Sequence, residues 1–247
     1  MSDSHDLPRL PPVGAAASPA DLVPLMTPEL LAGLLADGDE ELAAWTLENA
    51  IAVMPRARVY DELVRDAMAI IGRRWVEGTW GIAEEHVASE TLLRTLERVA
   101  PELGPERRAG PGAVLVGVRG EHHAIGLACA AHVLAESGWS IVNLGADEPA
   151  DDLARFVARV RPSLIVLTAS SADRADALRE TVGAVRAVAG ESVTIAVGGG
   201  IASDPASVAG VGADWSGTTL TALVRFAVRL RARLDAESMV RPSDPVF

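Results

Sequence analysis

The stretch AVLVGVRGEHHAIG (113–126) decides the fold of this chain. An apolar run of strand length, 113–118, passes through a polar loop into a helical stretch, AIGLACAAHVLAES (124–137). Strands bounded by turn residues and followed at once by helices are typical of alternating α/β proteins. We therefore expect the chain around residue 113 to begin an α/β domain.

The same alternation continues towards the C-terminus. Further buried-strand runs are SIVNLG (140–145), SLIVLTA (163–169) and TIAVG (194–198), and helical patterns separate them. A last helical pattern, TALVRFAVRLRARL, ends the series. Continuous apolar strands that alternate with helices predict a doubly wound parallel sheet, of the flavodoxin or Rossmann kind, over residues 113–247.

The chain before this domain has a helical pattern throughout. Residues 25–103 contain four helical segments with short connections, which predicts a four-helix bundle. Residues 104–112 are rich in Gly and Pro, so we expect a linker there. Residues 1–24, rich in Pro, Ala, Ser and Asp, are predicted to be a flexible tail.

Composition excludes several classes of protein. The net charge of −12 disfavours contact with a phosphate backbone, and the chain has no zinc-finger, leucine-zipper or basic-arm pattern. We therefore expect no direct binding to nucleic acid. The one cysteine, Cys129, allows no internal disulfide, and no signal peptide or apolar run of about 18 residues is present. These features predict a cytoplasmic protein outside the membrane.

The loop after the first predicted strand carries the candidate chemistry. Ligands of doubly wound sheets bind outside the carboxyl ends of the strands, where His123 would lie. Neutral imidazole is a good donor to a transition metal, and Glu121 could accept its other N–H and fix the tautomer. Gly126 would let a bulky ligand approach the start of the next helix.

Three short motifs in register resemble the fingerprint of the cobalamin (vitamin B12)-binding domain family, D-x-H-x-x-G, then S-x-L, then G-G. Glu121-x-His123-x-x-Gly126 is followed after 41 residues by Thr168-Ala169-Ser170, and after 27 more by Gly198-Gly199. Glu replaces Asp and keeps the carboxylate, and Thr168 keeps the hydroxyl. Ser170 replaces Leu, which makes one wall of the cofactor's nucleotide slot more polar.

The resemblance implies a role for each of these residues. His123 would ligate cobalt from the lower face, in place of the cofactor's own dimethylbenzimidazole base. That base would insert beside the sheet, hydrogen-bonded to Thr168, in room left by Gly198 and Gly199. Gly217, Thr218 and Thr219, after the last strand, would hold the nucleotide phosphate through backbone N–H groups, although a plain helix cap is the alternative there.

The helical domain carries a second candidate site. Trp75 is followed after nine residues by Glu85-His86, which resembles the arrangement around the 5′-deoxyadenosyl group in B12-dependent photoreceptors. The resemblance implies that Trp75 covers the upper axial group, Glu85 bonds a ribose hydroxyl and His86 reaches cobalt when the group departs. Ile82, which begins the same helix, belongs to this candidate site. The alternative is that Trp75 is a core aromatic residue and Glu85-His86 a solvated helix start.

This resemblance predicts a light sensor that is not an enzyme and that uses photolysis of adenosylcobalamin. Because no DNA-binding domain precedes the bundle, we expect a stand-alone homo-oligomer that signals through a partner protein or its own assembly. Some relatives hold a bilin, so biliverdin is a candidate second chromophore, with His122 as its contact. The alternatives are a corrinoid carrier for a methyltransferase and a B12 storage or repressor-antagonist protein.

Overall fold

The computed structural model describes residues 26–102, 104 and 110–240. The predicted tail (1–24) and residues 105–109 of the predicted linker lie outside the described residues. The chain divides into two compact units, Met1–Ala100 and Pro101–Phe247, each with buried apolar residues of its own. Among the described residues, none of the helices is both long and apolar enough to cross a membrane.

The first unit is helical. Its elements are α1 (Pro28–Ala36), α2 (Glu40–Val53), α3 (Arg56–Val59), a π-helical turn (Tyr60–Val64), α4 (Arg65–Val76) and α5 (Ile82–Arg98). Thr27 and Asp39 cap the first two helices, because their side-chain oxygens accept the N–H groups of Leu30 and Leu42. The apolar stripes of the helices meet in one core, which includes Leu31, Leu35, Leu47, Ile71, Leu92 and Leu96.

The helical stretch from Arg56 to Val76 is interrupted by the π-helical turn. Tyr60, at the start of this turn, is buried, and its hydroxyl accepts a hydrogen bond from Arg56 at 3.0 Å. The same guanidinium donates to the Val99 carbonyl at the end of α5, at 2.6 Å. Arg56 thus satisfies a carbonyl that the end of α5 leaves unpaired. Helical periodicity alone does not reveal this long-range contact.

The second unit is a five-stranded parallel sheet in the order β2-β1-β3-β4-β5, as the sequence predicted for its class of fold. The strands are β1 (Gly112–Val118), β2 (Ser140–Glu148), β3 (Leu164–Thr168), β4 (Thr194–Gly198) and β5 (Trp215–Ser216). The intervening helices are α6 (Ile125–Glu136), α7 (Ala150–Val160), α8 (Ala175–Ala189), α9 (Pro205–Val208) and α10 (Leu220–Val240). Between β1 and β3 the direction of winding reverses, which is where such sheets bind ligands.

Helices cover both faces of the sheet. One core lies between the sheet and the helices α7 and α8, and the other between the sheet and the helices α6 and α10. Successive strand residues alternate between them: in β3, Ile165 and Leu167 belong to the first core, and Leu164 and Val166 to the second. By this alternation the next residue, Thr168, lies on the α6/α10 face.

Two strands differ from the sequence expectation. β2 extends to Glu148, beyond the predicted run that ends at Gly145. It is an edge strand with several exposed side chains, so its polar end does not stand out as a buried run. β5 has only two residues, too few to produce a strand pattern of its own.

The chain after β4 passes unusually close to the chain after β3. Gly199 has φ +88°, and a Cβ at this position would overlap the Ala169 carbonyl oxygen. A Cβ on Gly200 would overlap the Ser170 carbonyl oxygen in the same way. Glycine is therefore required at both positions by the backbone itself.

Gly199→Ala should lower the free energy of unfolding by about 2 kcal/mol. The alanine would have to adopt the left-handed φ of Gly199, and its Cβ would overlap the Ala169 carbonyl oxygen. Gly183→Ala is the matched control, because Gly183 lies inside α8 and a new Cβ there would have no neighbour within 4 Å in the part of the chain that the structure describes, apart from its own helix. This change should raise stability by about 0.5–1 kcal/mol. Thermal unfolding checks both, and equal midpoints for the two variants would contradict this explanation.

Candidate cofactor-binding site

A buried carboxylate organises the loop after β1. Glu121 is only 1% exposed, and one of its oxygens accepts the backbone N–H of His123 at 2.8 Å and lies 2.5 Å from that residue's Nδ1. The other oxygen accepts the backbone N–H of Ser170, in the loop after β3. Glu121 therefore connects the two loops at the point where the sheet reverses its winding.

Burial by itself raises the pKa of Glu121, since it penalises the charged form. Hydrogen bonds from His123 and Ser170 outweigh burial and hold the pKa below its ordinary value. The carboxylate is thus charged at neutral pH. A charged acceptor on Nδ1 keeps the proton of the imidazole on that nitrogen and leaves Nε2 as the electron-pair donor.

The imidazole itself faces outward. The His123 side chain is 78% exposed, although the carboxylate that holds it is buried. A ring fixed through Nδ1 with its other nitrogen towards solvent is suited to bind a metal that arrives from outside. A single imidazole is enough when a macrocycle supplies the other ligands of the metal.

Asp147, at the end of β2, holds the same loop from the edge of the sheet. Its carboxylate accepts the Gly120 N–H at 2.6 Å, and its own N–H donates to the Glu121 carbonyl at 2.8 Å. Asp147 adopts φ +59°, which is uncommon for a non-glycine residue but accessible to Asp. Asp147 does not stand out in the sequence, because the contact joins residues 27 positions apart.

Beside this loop, a row of four residues, three of them glycines, crosses the sheet. The register pairs Gly117 with Thr168 and Thr168 with Gly198, and Gly217 follows the next strand at the same level. By strand alternation these positions lie on the α6/α10 face, one layer above the paired residues Leu115, Val166, Ala196 and Trp215. Three of the four positions have no side chain, but the Glu121 side chain lies over Gly117 and the Trp215 ring over Gly217. We name the space between them, above Gly198 and Thr168, the slot.

The slot fits the predicted nucleotide tail of a cobalamin in two respects. The Thr168 hydroxyl oxygen is buried and has no hydrogen-bond partner within the described part of the chain, an unfavourable state that a bound base would relieve. Among the described residues, a Cβ on Gly198 would meet only the Gly217 carbonyl, at 3.8 Å, so none of their other atoms fills the space directly above Gly198. At the other end of the slot, the Glu121 side chain lies 3.2 Å from the Cβ position of Gly117.

The remaining predicted residues of this unit have different surroundings. No atom of the described ranges outside its own helix lies within 4 Å of a Cβ on Gly126, and His122 and Thr218 are exposed. The Gly217 N–H already donates to the Val197 carbonyl at 3.1 Å, so it is not available to a phosphate as we expected. Thr219 caps α10, because its side-chain oxygen accepts the Ala222 N–H at 3.2 Å, in agreement with the alternative of a plain helix cap.

The second candidate site lies at one end of the helical unit. Trp75 is the penultimate residue of α4 and is 49% exposed, which excludes the alternative that it is a core residue. Ile82, 60% exposed, begins α5 after a short turn. The Glu85 carboxylate accepts a hydrogen bond from Ser89 at 2.8 Å and lies 3.6 Å from Nε2 of His86, whose side chain is 73% exposed.

Val76 and Val87, on the same two helices, are also exposed, and we name these two residues together with Trp75, Ile82, Glu85 and His86 the α4–α5 tip. Exposed apolar groups of this kind mark binding surfaces more often than isolated exposed residues do. Trp80, in the turn, is partly buried, with the Arg74 guanidinium 4.5 Å from its ring centroid. It is therefore a packing residue of the turn.

Comparison with known proteins gives matches for both units. Two family models match, each described as a B12 binding domain: one over residues 111–224, and the other over residues 29–99. The HTH-type transcriptional repressor CarH of Myxococcus xanthus is 30% identical over 167 residues, which are 66% of this chain and 54% of the repressor. Trimethylamine corrinoid protein 1 of Methanosarcina acetivorans is 28% identical over 141 residues, 55% of this chain and 64% of that protein.

The fold has a close counterpart among solved structures. The monomethylamine corrinoid protein of Methanosarcina barkeri superposes with a TM-score of 0.68, over 81% of this chain and 96% of that one, at 17% identity. The chain spans about half to two thirds of the length of the curated relatives it matches. Both units therefore match B12-binding models, and the chain belongs to the B12-binding domain proteins.

Proposed function

We propose that this chain is a light-responsive regulator that binds adenosylcobalamin and signals through a partner protein or its own assembly. The observation that carries the proposal is the α4–α5 tip, where Trp75, Glu85 and His86 are accessible to a ligand. Their spacing resembles that in B12-dependent photoreceptors. The similarity to the repressor CarH adds support.

The α/β unit would hold the lower side of the cofactor. His123 would ligate cobalt through Nε2, with Glu121 accepting the proton on Nδ1. Thr168 would donate its unpartnered hydroxyl to the base of the nucleotide tail, above Gly198. Gly126 would leave space for the corrin at the start of α6, since nothing lies within 4 Å of its Cβ position.

The α4–α5 tip would serve the upper axial side. Adenosylcobalamin supplies a cobalt–carbon bond that light cleaves, with release of the adenosyl group. Trp75 would exclude water from that group with its apolar ring, and Glu85 would accept a hydrogen bond from a ribose hydroxyl. His86 would supply a second imidazole to cobalt after that release. Loss of the contacts made by Trp75 and Glu85 would alter the packing of the tip, which is a local event of the kind that switches use.

A corrinoid carrier for a methyltransferase is the second candidate. The similarity to trimethylamine corrinoid protein 1 supports it specifically, and the α/β site would serve that function equally well. The two functions differ at the upper axial side. A carrier must let a partner enzyme reach cobalt, whereas a light sensor must hold the adenosyl group until light arrives.

The protein loaded with adenosylcobalamin should change its absorbance spectrum after green light, and its mass in size-exclusion chromatography should change with it. The protein loaded with methylcobalamin and kept in darkness is the control. Identical spectra and masses before and after illumination would contradict light sensing. Transfer of the methyl group to a methyltransferase would instead support the carrier.

The two histidines should have separable effects. His123→Ala should remove the spectrum of histidine-ligated cobalamin in darkness, because the lower ligand is lost. His86→Ala should leave the dark spectrum unchanged and alter only the spectrum after illumination. His122→Ala is the matched control and should change neither in the absence of a bilin. If His122→Ala altered the cobalamin spectrum as His123→Ala does, the assignment of the lower ligand would be wrong.

Glu121→Gln should weaken cobalamin binding by about tenfold, because a metal-bound histidine that loses its charged partner typically loses 10–100-fold in affinity.

In the ligand-free protein, the lowered pKa of Glu121 contributes stability to the fold. This contribution is present above the ordinary pKa of a glutamate, about 4.3, and is lost as pH falls through the pKa of Glu121 in the folded protein. Thermal unfolding between pH 3 and pH 7, compared between wild type and Glu121→Gln, measures this contribution. A stability difference that does not shrink in acid would contradict it.

Biliverdin as a second chromophore stays a prediction, with exposed His122 as its contact. Co-expression with a bilin-producing pathway, followed by pigment extraction, tests it.

A further inference from the structure

We propose that Trp215 forms the wall against which the base of the nucleotide tail packs, and that it makes this chain select corrinoids with a planar aromatic base. The inference rests on the proposed binding of cobalamin by the α/β unit. It adds a specificity-determining residue that neither the fingerprint nor the candidate site residues include.

The indole lies at the β5 end of the slot. Trp215 pairs with Ala196 in the layer below the slot and packs against the α6/α10 core. Its ring extends upwards along the same face, because a Cβ on Gly217 would lie 2.5 Å from both Cη2 and Cζ2. The benzene half of the indole therefore occupies the place that a side chain at residue 217 would take.

This ring borders the open space of the slot. Gly217, whose side-chain position the ring occupies, is the neighbour of Gly198 across the sheet, and its carbonyl lies 3.8 Å from the Cβ position of Gly198. Beyond Gly198 lies Thr168, with its unpartnered hydroxyl. A ligand that satisfies Thr168 above Gly198 is thus next to an aromatic surface on the β5 side.

The Phe226 ring holds the indole of Trp215 in its orientation. Phe226, on α10, stacks on Trp215 with 5.0 Å between centroids and 14° between planes. Leu115, Val166 and Ala196, in the same layer, are buried, whereas Trp215 is only partly buried. Part of the indole surface is therefore still available for contact, and the ring does not have to reorient to make it.

An aromatic wall favours one class of ligand. A planar heterocyclic base gains offset-stacked or edge-to-face contacts with indole that an aliphatic tail does not gain. A hydrogen bond from Thr168 on one side and an indole on the other together specify a flat base with a polar edge. The slot would contribute nothing to a corrinoid without a nucleotide tail.

The test compares cobalamin with cobinamide, which lacks the nucleotide and its base. Titrations followed by absorbance would give both affinities for the wild type and for Trp215→Leu, Trp215→Phe and Gly217→Ala. Trp215→Leu should weaken cobalamin about tenfold, the upper end of an aromatic contact, and leave cobinamide within about twofold. Trp215→Phe should retain most of the cobalamin affinity, because it keeps an aromatic ring.

Gly217→Ala provides an independent variant that keeps the tryptophan. Its methyl group would displace the indole, so it should also weaken cobalamin and spare cobinamide. Trp45 is a partly buried tryptophan of the helical unit, and Trp45→Leu is the control for loss of an indole elsewhere in the chain. Circular dichroism would identify any variant that fails to fold.

Three results would overturn the inference. Equal weakening of cobalamin and cobinamide by Trp215→Leu would mean that the indole only supports the fold. Wild-type protein that binds the two corrinoids equally would mean that the slot holds no base. Wild-type protein that binds neither would refute the proposed cobalamin binding itself, which distinguishes that failure from failure of the inference.

Discussion

The hydrogen bonds to the buried Glu121 carboxylate are the interaction on which the rest of the site depends. They join the loop after β1 to the loop after β3, orient the His123 ring and keep a charge inside the end of the sheet. A carboxylate without these donors would be costly at 1% exposure. Gly117 makes the arrangement possible, because a side chain there would crowd the Glu121 stem, 3.2 Å away.

The two units contribute surfaces of opposite character. The α/β unit offers a polar anchor and a slot of bare backbone, in which Thr168 supplies the one side chain of the row. The α4–α5 tip of the helical unit offers exposed apolar side chains with an acid and an imidazole beside them. Each is incomplete in a different way: the slot has an unsatisfied hydroxyl, and the tip has apolar surface in water.

The sequence predicted the parallel sheet, the helical unit and the Glu121–His123 contact, because each depends on local pattern or on residues two positions apart. It did not predict the roles of Asp147, Gly199 or Trp215. Asp147 acts through a contact across 27 positions, Gly199 is required by the close approach of two loops, and Trp215 belongs to a strand of two residues. Such features depend on strand order and register, which residue patterns do not contain. The sequence also assigned Gly217 to a phosphate, whereas its N–H belongs to the sheet.

The two contacts of Asp147 with the loop after β1 have a consequence for the kinetics of binding. With Gly120 and Glu121 tied to the edge strand, the loop is already ordered in the ligand-free protein. Ligand capture then carries little loss of backbone entropy, and association need not wait for a segment to fold. Differences in affinity among variants around His123 should therefore arise mainly in how fast the ligand leaves.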